Sequence, residues 1–180
     1  ARSFIIQLAQ AIFHSLQQAV NCSSSTQPRL CRELTQMAIN FREADAADLD
    51  VLMTYMQEFH DFDHTEPFDN VAARGAMTHV VSNRSIGRVW LIQEVEEVIG
   101  YIVLTLGYRL EYRGQYAFLD ELYVRENKRG EGIGTRAIEF LEKTCQQMKV
   151  RFLQLEVKRD NSVARALYER KGFEQQDRDV

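Results

Sequence analysis

The sequence has no block of lysines and arginines of the kind that tracks a phosphate backbone, and its formal net charge is -4. Nucleic acid is therefore a poor partner for it. Cysteine is scarce: Cys22, Cys31 and Cys145 form an odd, widely spaced set with neither Cys-x-x-Cys nor metal-ligand spacing. They read as free thiols of a reducing compartment, so the expected location is cytoplasmic. No apolar run approaches the ~20 residues that cross a bilayer. The chain also contains no internal repeat and no low-complexity tract. What it does have is 180 residues with 45% hydrophobic content, enough for one ordinary domain with a core, plus an appendage.

That appendage is expected at the start. In "RSFIIQLAQAIFHSLQQAV" a basic residue precedes an apolar run, as in a secretory signal, but Gln7, Gln10, His14, Gln17 and Gln18 interrupt the run too often. Ile5, Leu8, Ala9, Ile12, Leu16 and Ala19 fall at helical spacing and predict one apolar stripe. The cluster "NCSSSTQP" punctuates the chain, and a short helical piece, "RLCRELTQM", follows. Met37 then precedes "AINFREA", which alternates like a strand. The expected organisation is a helical leader over 1–37, packed on the domain or on a second subunit or a loose extension outside the native domain, and a domain proper over 38–180.

Within the domain, Asp45 with Asp48 three residues later has the form of a capping box. It opens a helix carrying Leu49, Leu52, Met53, Met56 and Phe59. "HDFDHTEPFD" reads as a loop whose last residue, Asp69, caps a second helix through "NVAARGAMTHVV". From Gly87 the period changes. "RVWLIQEV", "VIGYIVLTLGYRL" and "YAFLDELYV" are rich in β-branched and aromatic residues and predict a three-stranded antiparallel meander. An amphipathic helix, the strand "RFLQLEV", a short helix from Ser162 to Lys171 and a strand starting at Phe173 complete the order β-α-α-β-β-β-α-β-α-β, an α/β domain.

Between the meander and the amphipathic helix stands "RGEGIG". A dinucleotide fingerprint fails on spacing, since Thr135 occupies the place of the third glycine; a P-loop fails because no lysine follows these glycines. Two readings remain. One is a strand-to-helix loop that uses glycine for geometry. The other is a run of bare amides at the positive end of a helix, suited to a pyrophosphate.

Arg129-Gly130-Glu131-Gly132-Ile133-Gly134 resembles the Gln/Arg-x-x-Gly-x-Gly/Ala signature of the GNAT superfamily of acyl-CoA-dependent N-acyltransferases. "ELYV" before it looks like that family's fourth strand, and "NSVARALYERKGF", Asn161 to Phe173, is similar to its second acyl-CoA motif. The similarity runs from about Ile39 to Phe173 and implies a mixed, mainly antiparallel central sheet with helices on both faces.

The resemblance implies that the pyrophosphate of acetyl-CoA, the co-substrate, sits on the amides from Arg129 through Thr135, those of Glu131 and Ile133 included. The pantetheine arm would run beside the strand Leu122, Tyr123, Val124, pairing with the backbone of Leu122 and Val124. A bulged or splayed strand would free those amides. Deprotonation of the acceptor amine calls for a carboxylate. Glu121 is the candidate, with Asp120 expected on the opposite face because strand side chains alternate. Tyr168 matches the family's general acid for the departing thiolate. Asn161, Ala164 and Tyr168, at spacings of three and four, share one helix face, where Asn161 would orient the pantetheine and Ala164 admit it. The alternatives are that Glu121 and Asp120 are polar strand residues pairing with a neighbouring arginine, and Tyr168 a core tyrosine.

For the acceptor, Glu58, Asp61, Asp63, Glu66 and Asp69 form an acidic rim suited to a small cationic amine, or a plain solvated loop. Tyr108 and Tyr112 are candidates for aromatic walls of that pocket, or else plain strand residues. His60 and His64 beside Asp61 and Asp63 have metal-ligand donor types, but the implied chemistry needs no metal and none is expected. Cys145, inside a helix, is not marked as a nucleophile. Family members usually continue after Gly172-Phe173 with two strands; here one short strand is expected. The open edge would be left exposed, covered by the leader helix, or filled by a partner in a homodimer. The leading reading is direct acetyl transfer to a small-molecule amine. A non-catalytic acyl-CoA-binding module and a transferase acting on protein N-termini or lysines are the alternatives.

Overall fold

The computed structural model of the protein describes residues 3–9, 39–63 and 67–176. Its elements are β1 (Ser3–Ala9), β2 (Ile39–Glu43), α1 (Leu49–Asp63), α2 (Asn70–Ser82), β3 (Gly87–Glu94), β4 (Glu97–Arg109), β5 (Gly114–Val124), α3 (Ile133–Gln147), β6 (Phe152–Lys158), α4 (Ser162–Arg170) and β7 (Glu174–Gln176). Short 3-10 turns at Ala46–Asp48 and Glu126–Lys128 precede α1 and α3. From β2 onward the order is the one the sequence predicts.

The caps act as read. Asp45 accepts from the Ala47 amide while Asp48 accepts from the Asp45 amide, and Asp69 accepts from Val71 and Ala72. The first helix runs further than expected, through Asp63, so His60 to Asp63 are helical. His64 and Glu66 lie outside the described residues.

The sheet order is β2-β3-β4-β5-β6-β1-β7. Every neighbouring pair is antiparallel except β5 and β6. One expectation is overturned: Ser3–Ala9 is a strand, not the start of a helix. It pairs along all seven residues with β6 and with three residues of β7. A full ladder on one side and a short one on the other outweigh a helical spacing carried by three residues, because main-chain pairing of an otherwise open edge satisfies polar groups a lone helix would leave exposed. The chain's own segment thus occupies the place for which a leader helix or a partner subunit was expected. The remainder of the leader, with Cys22 and Cys31, lies outside the described residues.

Helices cover both faces and divide the core. On one face α3 and α4 bury Ile133, Ala137, Ile138, Leu141 and Tyr168 against Trp90, Ile102, Leu104 and Leu119 of the sheet. On the other, α1 and α2 bury Leu52, Met53, Tyr55 and Met77 against Leu91, Tyr101, Val103 and Tyr123. At about 25 cal/mol per Å2 of apolar surface, two such faces drive the assembly of a three-layer domain.

Candidate active site

Two irregularities in the sheet build the site. In the β4–β5 ladder Leu104 pairs with Leu119 and Val103 with Glu121, so Asp120 is the extra residue of a β-bulge. Below it Ala117 and Leu119 enter the α3–α4 core; above it Leu122 and Val124 do, and Tyr123 enters the α1–α2 core. The bulge therefore reverses the alternation, and Glu121 faces α1. The second irregularity is that the parallel ladder between β5 and β6 ends at Leu119 and Leu155. Beyond it the upper halves of the two strands share no ladder.

This splay leaves main-chain groups open. Arg125 donates to the Ile99 carbonyl at 2.9 Å, toward β4. Since successive residues of a strand direct their N–H and C=O to opposite sides, those of Leu122 and Val124 point into the splay. Tyr123 lies between them with its ring in the α1–α2 core. Arg129 reaches back into the splay, Nε donating to the Val124 carbonyl at 2.8 Å. Its guanidinium stacks over Phe62, 4.6 Å from the ring centroid, and over Tyr123 at 5.5 Å.

The turn after Arg129 gives the bare amides their direction. Gly130 and Gly132 have φ of 82° and 81°, a region that costs other residues ~1–2 kcal/mol. No side chain caps α3 at Gly132. Among the described residues, the amides from Gly130 through Thr135 meet no main-chain acceptor, and the first bond of the helix is Arg136 to Gly132; the Arg129 amide, expected in the same run, instead closes the preceding turn by donating to the Glu126 carbonyl at 3.2 Å. Glu131 is exposed, whereas Ile133 is buried and anchors the turn in the core. Gly134 has a different role: a Cβ there would lie 3.1 Å from Leu167, so its hydrogen lets α4 pack against the first turn of α3.

On α4, Asn161 is the N-cap, its side chain accepting from the Ala164 amide at 3.0 Å. Ala164 and Leu167 pack on the core, and Tyr168 is buried in it. The Tyr168 hydroxyl meets no partner among the described residues, and burial alone pushes its pKa up to about 12. An orphan buried hydroxyl costs roughly 1–3 kcal/mol.

Glu121 accepts a 2.6 Å hydrogen bond from the hydroxyl of Tyr101, a fully buried side chain. Burial raises the Glu121 pKa, the Tyr101 bond partly offsets that, and the Asp120 charge adds to the rise. Asp120 does not take the opposite face as expected. Its carboxyl lies near Thr105, whose neighbours Leu104 and Leu106 both belong to the α3–α4 side, so Thr105 and Asp120 share the face of Glu121. The bulge, which suspends alternation at this step, is the reason. Although Asp120 remains partly open to solvent, desolvation of its carboxyl also holds its pKa up.

Two clefts flank α1 beside the end of β5, and Glu121 and Asp120 line neither of them. One, of about 570 Å3, is lined by Glu58, Asp61, Phe62, Tyr123 and Arg129 among others. The second, of about 450 Å3, is bounded by Asp50, Thr54, Tyr55, Glu58 and Arg125. Glu58 borders both and accepts from the Tyr123 hydroxyl at 2.7 Å. Tyr108 and Tyr112 line neither, contrary to the aromatic walls expected of them; they sit at the far end of the β4–β5 hairpin, where Tyr112 packs on Phe152. Cys145 is buried in α3 with its thiol pKa pushed up to about 12, chiefly by burial, which suits a core residue and not a nucleophile. No cluster of metal-binding side chains occurs among the described residues. Nor is any helix among them long and apolar enough to cross a membrane.

Tyr101, Thr105 and Phe62 are the site residues that sequence reasoning missed. For Tyr101 and Thr105 the signal is the β4–β5 register, which places Tyr101 opposite Tyr123; Phe62 belongs to the part of α1 that extends past the expected helix end.

Residues 49–173 match the acetyltransferase (GNAT) family, well over half of the chain, and the protein belongs to that family. An integron cassette protein from the mobile metagenome of Cole Harbour Salt Marsh is 34% identical, with a TM-score of 0.70 over 81% of this chain and 89% of that one. A predicted acetyltransferase with acetyl-CoA from Clostridium acetobutylicum shares the fold at 18% identity, with a TM-score of 0.67 over 79% of this chain and 94% of its own. An aminoglycoside N-acetyltransferase in complex with CoA does so at 12% identity and a TM-score of 0.67, over 79% and 91% of the two chains. No curated protein matches the sequence.

Proposed function

We propose that the protein transfers the acetyl group of acetyl-CoA directly to a primary amine of a small cationic molecule. The observation that carries this reading is the run of unoccupied amides from Gly130 to Thr135, opening beside the strand splay where Leu122 and Val124 offer main-chain partners. These features fit the two ends of one ligand: a diphosphate at a helix N-terminus and an amide-bearing arm along a strand edge. The similar structures with acetyl-CoA and CoA support the same assignment. Arg129 adds positive charge to the diphosphate, and Asn161, while capping α4, retains its amide donors for the arm beside the small Ala164.

Acetyl-CoA supplies an activated thioester; the chain supplies placement and proton transfers. Glu121 takes the proton from the acceptor ammonium, a role that its raised pKa brings nearer to neutral pH. The Leu122 amide, free in the splay, polarises the carbonyl under attack. Tyr168 gives its proton to the departing sulfur, which accounts for a buried hydroxyl without a protein partner. The two groups stand on opposite faces of the sheet, and the splay is the opening that joins them.

Glu58 and Asp61, with the rings of Tyr123 and Phe62, favour a cationic acceptor in the larger cleft. The test is thiol release from acetyl-CoA across polyamines, basic amino acids and aminoglycosides. Turnover on at least one cationic amine is expected, and Tyr168→Phe should lower it with little change in acetyl-CoA affinity. Binding without turnover on any amine would instead make the chain an acyl-CoA-binding module.

A further inference from the structure

The bulge places two carboxylates side by side on one face, so strand alternation no longer separates Glu121 from Asp120. Their surroundings differ. Asp120 is exposed to solvent and has Thr105 nearby. Glu121 is tied to Tyr101, whose ring is completely enclosed between Val103, Tyr123 and the helices above. A hydroxyl on a rigid, enclosed ring holds a carboxylate in one orientation at small cost in side-chain entropy, because the ring has no freedom left to lose.

We propose that Tyr101 is a positioning residue that fixes Glu121, and not the adjacent Asp120, as the base of the reaction. The inference rests on the functional reading above for the word base; the contact itself does not. Around Glu121 the polar groups are Tyr101 and Thr105 from β4, Asp120 and Tyr123 from β5, and, beyond Tyr123, Glu58 of α1 and the Arg129 guanidinium. Of these, Tyr101 donates to Glu121 and favours its ionised form, whereas Asp120 opposes that form through like charge. The two neighbours therefore pull its proton affinity in opposite directions.

The first arm of the test needs no acceptor. Protein labelled with carbon-13 at the glutamate side-chain carboxyl is titrated by NMR, the Glu121 signal being assigned by its loss in Glu121→Gln. Tyr101→Phe should raise the proton affinity of Glu121 about tenfold or more, since a hydrogen bond to a charge is lost, and Asp120→Asn should lower it. A Glu121 midpoint unmoved in folded Tyr101→Phe overturns the inference. Should that variant not fold, 3,5-difluorotyrosine at position 101, a stronger donor of nearly the same shape, should move the midpoint to lower pH, and an unmoved midpoint there is equally fatal. In the rate profile, Tyr101→Phe should displace the acidic limb to higher pH and recover as pH rises, which a merely structural defect would not do. Unchanged turnover in Glu121→Gln would overturn Glu121 as base whatever the midpoints do. A fixed midpoint, with turnover lost in Glu121→Gln, would overturn the Tyr101 inference alone.

Discussion

On the α1–α2 face of the sheet each buried tyrosine has an acceptor: Tyr55 donates to the Val98 carbonyl, Tyr101 to Glu121 and Tyr123 to Glu58. On the α3–α4 face the core is aliphatic apart from Trp90, Tyr168 and Phe173, and the hydroxyl of Tyr168 has no acceptor among the described residues. The difference separates two uses of a buried hydroxyl. Where the acceptor is part of the protein, the hydroxyl orders the site and stabilises the fold. Where it is missing, the fold bears a cost that only a ligand removes.

The strongest break of this comparison would come from the carboxylate side. Glu121→Gln should lower turnover by about 10^2 to 10^4, the range for loss of a general base, while calorimetric affinity for acetyl-CoA stays near the wild-type value. Equal losses in both would mean that Glu121 shapes the cofactor site instead. Next in size is Gly132→Val. It forces a β-branched residue to φ near 81° and covers the turn's amides, so acetyl-CoA should bind about 10- to 100-fold more weakly, as for loss of a charge-assisted hydrogen bond.

Stability sharpens the contrast through its sign. Tyr123→Phe strips Glu58 of its donor and should cost about 1 kcal/mol in denaturant unfolding. Tyr168→Phe removes an orphan hydroxyl, so its stability should be unchanged or higher by up to about 1 kcal/mol. If both variants lose stability alike, the two faces do not differ as argued.

The smallest effect concerns pH. Glu121 and Asp120 both have folded pKa values above their ordinary ones, so the native state binds their protons more readily than the unfolded chain does. Their contribution is greatest below the unfolded pKa and declines as pH rises through the folded one. Asp48, lowered chiefly by its hydrogen bond from Arg42, works the other way and loses its contribution as pH falls. Glu121→Gln should accordingly melt slightly above wild type at neutral pH, with the gap closing in acid; a gap that widens in acid would contradict the assignment.

How much of this could be read beforehand follows from which interactions are local. The caps at Asp45 and Asp69, the meander and the glycine turn depend on neighbours within a few residues, and each stands where the sequence predicts it. The strand Ser3–Ala9 depends on β6 and β7, more than 140 residues away, so its local helical spacing misleads. Asp120 misleads for a related reason. Strict alternation is the right expectation until a bulge intervenes, and the bulge is a property of the β4–β5 register, not of "LDEL" alone. Tyr101 was illegible because its partner is set by that same register. Tyr168, by contrast, is marked by the resemblance of the contiguous stretch Asn161 to Phe173 to the family's second acyl-CoA motif, which needs no long-range register.

The central claim is that the free amides opening α3 hold the diphosphate of an acyl-CoA, and titration calorimetry of acetyl-CoA into the wild-type protein and Gly132→Val tests it most directly. Saturable one-to-one binding by the wild type, weakened in the variant while its melting stays cooperative, is the predicted result. No heat of binding in the wild type, or equal affinity in both proteins, would contradict it.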